Sequence, residues 1–589
     1  MTAHGRDLPR PSKTRTVTVA YAGGEERRGP VAMGQANMIR CMLRDEPEHI
    51  NIHDVWPVPA GTRTDAVIDA LRALVVRHEA LRTTFPRDEG APGDAVPREQ
   101  TVAAEGEFTV TVLDHDALPP DPERYADAVA RRSRVERFVL ERDFGLRISL
   151  VVLAGAPAFV ALAASHAVTD VSALGVLRED WLALLTGAPL PPQTAFTPLD
   201  LATEEAAPAG LRKAAASLRY WERIIRTGPQ AMFDGPGAEG TEVETPEVTL
   251  RSLRGARALA RVAGRTGALP STVLLTAWCA LVAHRTGQSV CVAAVPTSNR
   301  FHDRLVRSVN TVSQDALLAL DVRVPSFDAL LAKAWGAALD AYRHSRFDAV
   351  ALWETIDRTA FERGSRFARD VVFNDVSALS GTGGAEPDGP DGPDGPDGPD
   401  GPELELGRGP VQVLPTRLLA FVHETEPLLR IGLWADPALF APGGAEDFLT
   451  GLVRLLEAAA EGDVPLASLT RVTGARPVER GPDWIRVDGC WVSPPAVADA
   501  LGDALGGVPV HVAADGAGLT AFVASGGTPL TPVRAHAALM RVLPGRPGVL
   551  APRRYVIVQD PPEEADRTDA WLRRHLLTEG NGRTPAEPT

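Results

Sequence analysis

Between Arg63 and Phe85 the chain sets Val67, Ile68, Leu71, Leu74 and Val75 at helical spacing and then turns extended. That spacing predicts a helix with one apolar face. The runs "RISLVVL" and "AFVALAAS" are apolar almost throughout and are separated by "AGAP", so they predict a β-hairpin. "STVLLTAWCALVAHRTG" predicts a buried helix stopped at Gly287, and "SVCVAAVP" a buried strand after it. From Ser172, "SALGVLREDWLALL" places Leu174, Leu177, Trp181, Leu184 and Leu185 on one helical face. Helices packed on mixed sheets make an α/β protein, with a cleft expected between its lobes. Trp221, Trp278 and Trp335 sit at helical spacing and are expected in the core, as are the inert thiols Cys279 and Cys291. His78 and Arg82 in "RHEALRTTF" are expected to be buried packing and hydrogen-bonding groups.

The pattern breaks at three places. "TGAPLPPQTAFTPLD", residues 186–200, reads as an extended crossover, and "TGARPVERGPD", residues 473–483, separates a helical stretch from a strand-rich one. The third break is the Asp-Gly-Pro repeat within about 380–403, which has no apolar surface to bury and too much proline for helix or ladder. Strand-like segments flank it ("RDVVFNDVSAL" and "LLRIGLWAD"), so it is expected to be an acidic loop inside a domain, a true domain boundary being the alternative. The expected organisation is a first lobe over 1–200, a second over 201–472, a small module over 483–572 and a flexible tail over 573–589.

At 589 residues the chain is too long for one core, which agrees with that division. A formal charge of -15 argues against nucleic acid as a partner, since an acidic protein gains nothing from phosphate counterion release. Cys41, Cys279, Cys291 and Cys490 lie far apart, giving neither a zinc-site spacing nor a disulfide framework. No signal-like N-terminus and no membrane-length apolar window are present, so a cytoplasmic location is expected. Lysine occurs only at positions 13, 213 and 333.

Candidate chemistry centres on "ALAASHAVTDVSALGVL", residues 161–177. The strand is expected to end near Ser165, His166 to open a short loop, and Asp170 or Ser172 to cap the helix that follows. An imidazole beside free backbone donors at a helix N-terminus suits a base facing a developing oxyanion. Spacing alone favours the plainer reading, a satisfied strand-end histidine and a helix cap, since H-x-x-x-D is common by chance.

The segment resembles the H-H-x-x-x-D-G motif of the condensation domains of nonribosomal peptide synthetases, related in fold to chloramphenicol acetyltransferase. "GPVAMGQANMI", "LVVRHEALRTTF", "YWERII", "VAAVPTSNR", "RSVNTV" and "VVFNDVSAL" resemble further motifs of that family, in order, over about residues 30–470. The resemblance implies two chloramphenicol-acetyltransferase-like lobes forming a V-shaped pseudo-dimer around a tunnel. It implies His166 as the catalytic histidine, Asp170 as the second residue of the catalytic motif with a mainly structural role, paired with Arg300, and the Val171 N–H as oxyanion donor. Ser165, in place of the motif's first histidine, is expected to be supporting, as are Arg300 and Asn310. Val171 replaces the motif's glycine, and its branched side chain is expected to crowd the tunnel.

The implied function is that of a free-standing condensation enzyme in natural-product (antibiotic) biosynthesis. It would move an acyl or aminoacyl group from a carrier-protein phosphopantetheine thioester to an amine or hydroxyl, with carriers acting in trans and no bound cofactor or metal. The altered motif residues leave open an inactive, carrier-recruiting protein, and a coenzyme A-dependent acyltransferase is the further alternative. Residues 483–572 resemble the small C-terminal subdomain of adenylating enzymes, but "QDPPEEADR" puts Glu563 and Glu564 where that subdomain needs positive charge, and no lysine follows Lys333. The module is therefore expected to pack or dock without activating a substrate.

Overall fold

The computed structural model describes residues 9–583, apart from 88–89, 91, 118, 239–243, 379–401, 517 and 528. The first lobe is built on a five-stranded sheet in the order Lys13–Ala22, Glu105–His115, Leu146–Leu153, Ala156–Ala164, Ile52–Pro57. Only the Glu105–His115 and Leu146–Leu153 pair is parallel; the other neighbours are antiparallel. Ala154 and Gly155, both at positive φ, turn the Leu146–Leu153 and Ala156–Ala164 hairpin. Paired left-handed residues match the natural twist of a hairpin, which explains the "AGAP" signal.

Helices Thr64–Arg77 and Val171–Thr186 share a core with this sheet through Leu71, Leu74, Leu150, Leu177 and Trp181. Helix Pro122–Arg134 packs on the sheet in a separate cluster with Tyr125, Val151 and Ala161. Apolar packing on both of its faces is why the hairpin reads as continuous rather than alternating hydrophobic runs.

The second lobe carries a seven-stranded sheet: Gln314–Asp321, Val290–Thr297, Val371–Asp375, Leu418–Glu424, Leu429–Ala435, Glu244–Ser252, Glu405–Val413. Strands Val371–Asp375 and Glu405–Val413, which flank residues 379–401, both belong to it. The Asp-Gly-Pro repeat itself lies outside the described residues. Helices Leu253–Thr266, Pro270–Thr286, Phe327–Arg343 and Gly444–Glu461 complete one large core. Gly287, at φ 62, ends Pro270–Thr286 as the sequence predicts.

Trp221 and Trp278 are buried in that core, and so are Cys279 and Cys291. Trp335 is not: it is 59% exposed. The buried stripe of Phe327–Arg343 runs through Phe327, Leu330, Leu331, Ala334, Ala338 and Ala341. Trp335 stands one residue, about 100°, off that stripe.

Beyond the extended segment 474–484, a ribbon (Ile485–Val487 with Cys490–Val492) leads into helices Pro494–Ala504 and Pro532–Val542 and a four-stranded sheet. That sheet runs Val510–Asp515, Gly518–Ala524, Arg554–Val558, Leu576–Gly580 and has its own apolar core. Its last strand falls in the stretch expected to be a tail. Residues 576–580 are held by antiparallel pairing to Arg554–Val558, not by an apolar pattern that could be read from the sequence. The module is bonded to the second lobe: Ala551 N–H donates to the Gly364 carbonyl (2.7 Å) and Gln230 Nε2 to the Val549 carbonyl (2.7 Å). Among the described residues no single helix is long and apolar enough to cross a membrane.

Candidate active site

Strand Ala156–Ala164 delivers the chain to Ser165, and helix Val171–Thr186 starts after Asp170. The intervening loop is pinned to the first lobe. Ser165 N–H donates to the Gly145 carbonyl (2.9 Å), while Ala167 and Val168 pack with Ile39, Met42, Phe85 and Phe138. Within 161–170 only His166 is not fully buried. The loop's packing therefore leaves one functional side chain presented.

His166 Nδ1 lies 2.9 Å from the Thr169 carbonyl oxygen. A carbonyl only accepts, so Nδ1 carries the proton and donates it, and Nε2 keeps its lone pair. Burial pushes the imidazole pKa down, against the opposing pull of the nearby Asp170 carboxylate. The ring is thus neutral at neutral pH, with Nε2 as its basic atom.

Asp170 is buried and both of its oxygens are used. Oδ1 accepts from Ala173 N–H (2.9 Å), capping the helix. Oδ2 accepts from Arg300 Nη1 (2.9 Å), Val312 N–H (3.0 Å), Ser313 N–H (3.2 Å) and Ser313 Oγ (3.0 Å), all from the second lobe. Burial alone would raise its pKa, but Arg300 and the backbone donors hold it below the usual carboxylate range. Ser172 does not cap; Asp170 alone does so.

Arg300 is itself braced, donating from Nη2 to the Ser308 (3.0 Å) and Asn310 (3.3 Å) carbonyls. The preceding Asn299 has φ 55, a left-handed conformation that asparagine tolerates. Its amide holds the turn by donating to the Val312 (3.1 Å) and Ser345 (3.3 Å) carbonyls. Thr311 Oγ1 donates to the His166 carbonyl, a second tie between this loop and the histidine. Asn310 is fully buried, and its amide atoms have no hydrogen-bond partner among the described residues.

The structure therefore brings His166, Asp170 and Arg300 together with residues that sequence reading had not singled out as site residues: Asn299, Thr311 and Ser313. "TSNR" and "VNTVS" held that information, but only the fold shows that both strings converge on one carboxylate. Val171 is the first residue of its helix, where backbone N–H groups have no intrahelical acceptor. Its side chain is 40% exposed. Ser165 Oγ accepts from Ala167 N–H (3.4 Å), a local turn contact.

Further along the same helix, Asp180 accepts from Arg77 Nε (2.8 Å), His78 Nε2 (3.0 Å) and, from the second lobe, Arg307 Nη2 (2.7 Å). Burial would raise its pKa; His78 and Arg77 instead hold it down at about 2. Arg82 is buried and donates to the Val75 carbonyl (3.1 Å).

The two-lobed α/β frame thus carries His166 at a strand-to-helix turn and ties the Asp170 carboxylate across the lobes. The condensation-domain family model matches residues 38–379, more than half of the chain. The chain belongs to the condensation-domain family. Phosphinothricin tripeptide synthetase PhsC of Streptomyces viridochromogenes is 31% identical over 299 residues, covering 47% of this chain and 26% of that protein. Surfactin synthase subunit 1 of Bacillus subtilis is 22% identical over 429 residues, 70% of this chain and 11% of that protein. The chain thus spans only a fraction of these curated relatives.

Among solved structures, the SgcC5 protein of Streptomyces globisporus aligns with a TM-score of 0.54 at 19% identity, covering 74% of this chain and 100% of that one. The condensation domain of the Monacolin K polyketide synthase MokA gives 0.56 at 16% identity, covering 75% and 99%. These likenesses show the chloramphenicol-acetyltransferase-like α/β fold. Condensation domains are acyl- and peptidyl-transfer domains whose substrates ride on carrier-protein phosphopantetheine. Among the described residues no group of three or more His, Cys, Asp and Glu is placed to hold a metal ion.

Proposed function

We propose that this condensation-domain protein transfers an acyl or aminoacyl group from a carrier-protein phosphopantetheine thioester, supplied in trans, to an amine or hydroxyl acceptor. The observation that carries the reading is the tautomer of His166, with Nδ1–H bound to the Thr169 carbonyl and Nε2 left basic on the one loop residue not fully buried. In the reaction the acceptor's nitrogen or oxygen attacks the thioester carbonyl carbon while its proton passes to Nε2. The oxyanion forms beside the helix N-terminus, where the Val171 N–H stands. The carbon–sulfur bond then breaks, and the thiolate takes the proton back from the imidazolium. The Asp170–Arg300 pair fixes the loop between the lobes and transfers nothing. The module at 483–580 serves as a packed extension of the second lobe without adenylating chemistry.

A naphthyl ethanediol bound in the SgcC5 structure supports including hydroxyl acceptors. The coenzyme A ligand of the RzmA starter condensation domain supports an acyl-CoA control. The test is intact-mass detection of product from an acylated carrier with candidate nucleophiles. Wild type is expected to release the acyl group from the carrier onto the acceptor, and His166→Ala to abolish transfer. Wild-type-like turnover by His166→Ala overturns the mechanism. A second reading, a carrier-recruiting protein without chemistry, is favoured by the branched, exposed Val171 where the family motif has glycine. It predicts carrier binding unchanged in His166→Ala and no transfer by wild type.

A further inference from the structure

Helix Met33–Arg44 carries at its second position a glycine, a residue that disfavours helix, and there it meets the second lobe. Gly34 is buried, and a Cβ at this position would collide with the Thr311 carbonyl oxygen. It would also stand 3.0 Å from Val312 Cα and 3.1 Å from the Thr311 carbonyl carbon. All three atoms are backbone, so no change of rotamer relieves the clash. The helix is held in this place from its other sides. Met33 N–H donates to Glu205 (2.7 Å), and the buried Gln35 side chain accepts from Ala32 N–H (3.0 Å) and donates to Gln100 (3.1 Å). Ala32 and Val312 share one apolar cluster, and Ile39 and Met42 pack with Ala167 and Val168 of the His166 loop.

The peptide that Gly34 lets the helix approach serves both candidate site residues. Val312 N–H donates to Asp170 Oδ2 (3.0 Å), and Thr311 Oγ1 donates to the His166 carbonyl. One helix thus backs the His166 loop in the first lobe and the loop's donors in the second. We propose that Gly34 is a positioning residue for acyl transfer: its missing side chain lets helix Met33–Arg44 seat the Thr311–Val312 peptide against Asp170 and His166. The role rests on the acyl-transfer reading, but the seating it asserts is measurable without catalysis. A methyl group at position 34 forces helix and peptide apart, and the donors to Asp170 and His166 move with the peptide.

The experiment compares Gly34→Ala in the full chain with Gly336→Ala, a helical glycine whose added methyl meets nothing within 4 Å. Hydrogen exchange of the Val312 amide reads the seating, and kcat and KM with an acylated carrier read the transfer. Gly34→Ala is expected to speed Val312 exchange and to lower kcat at least about tenfold with KM nearly unchanged, as small misplacements of reacting groups do. Gly336→Ala is expected to match wild type in both. Thr311→Val keeps the backbone contact and removes only the hydroxyl tie to His166. It is expected to lower kcat with Val312 exchange unchanged, which tests the link even where Gly34→Ala does not fold. Unchanged Val312 exchange in Gly34→Ala, faster exchange with wild-type kcat, or wild-type kcat in Thr311→Val overturns the proposal. An equal rise in exchange at the distant Ala551 amide marks general destabilisation and overturns it as well. Faster Val312 exchange alone, with no transfer by wild type, refutes the acyl-transfer reading and not the seating.

Discussion

An imidazole whose Nδ1 faces only water exchanges its proton between nitrogens, whereas one whose Nδ1 faces a carbonyl at hydrogen-bonding distance does not. The Thr169 carbonyl therefore makes His166 Nε2 the basic atom at no cost in rearrangement during the reaction. The same geometry sets a pH profile. Burial holds the His166 pKa below its ordinary 6.5, and the Asp170 charge opposes that shift. Only the neutral ring accepts a proton, so kcat/KM is expected to be flat through neutral pH. It then falls about tenfold per unit once pH drops below the His166 pKa. Neutralising the opposing charge in Asp170→Asn is expected to move this acid limb lower still. Single-turnover rates between pH 5 and 8 check both, and an acid limb lying above 7 would contradict the assignment.

At the scale of one element, helix Val171–Thr186 is one of the parts through which the lobes are joined. Its cap, Asp170, and its middle residue, Asp180, both receive donors from the second lobe, Arg300 in one case and Arg307 in the other. Asparagine is as good a cap as aspartate, so Asp170→Asn keeps the helix start. It loses the charge that satisfies Arg300, which is 7% exposed at its side chain. Breaking one side of such a buried pair typically costs about 3 kcal/mol or more. Asp170→Asn is expected to destabilise by that order in denaturant unfolding. The double variant with Arg300→Met is expected to lose clearly less than the sum of the single losses. Additive losses would show that the two side chains do not act as a pair.

The helix itself, its apolar face and its polar cap were legible in the sequence, because 3.6-residue periodicity and capping chemistry are local. The hairpin before it was legible for the same reason. Thr311 and Ser313 were not, since a hydroxyl in a loop gives no sign of a partner more than a hundred residues away, and neither was Asn299, whose amide reaches carbonyls 13 and 46 residues on. Trp335 was misread because spacing alone does not say which of two adjacent faces meets the sheet.

Across the whole molecule, the C-terminal module is fastened to the second lobe by polar contacts. His536 is fully buried between module and second lobe. Its Nε2 donates to the Phe361 carbonyl (3.0 Å), so Nδ1 must accept from the Tyr555 hydroxyl (3.1 Å). Arg583 also reaches this junction, donating to the Glu362 carbonyl (2.8 Å). Burial lowers the His536 pKa from 6.5 to about 4, with Arg583 acting in the same direction and the Phe361 carbonyl against it. A histidine held neutral in the docked state gains a proton on release. The released state therefore binds more protons between pH 6.5 and 4, and docking weakens as pH falls through that window. From pH 7 to 5 the loss is about 2 kcal/mol. Hydrogen exchange of the Ala551 amide, which bonds to the Gly364 carbonyl across the junction, reports the opening directly. Its opening free energy is expected to fall by that amount in wild type. In His536→Gln, which can still donate to Phe361 but cannot titrate, it should stay nearly constant. A slope that persists in His536→Gln would assign the acid sensitivity to another group and leave the module's attachment independent of this histidine.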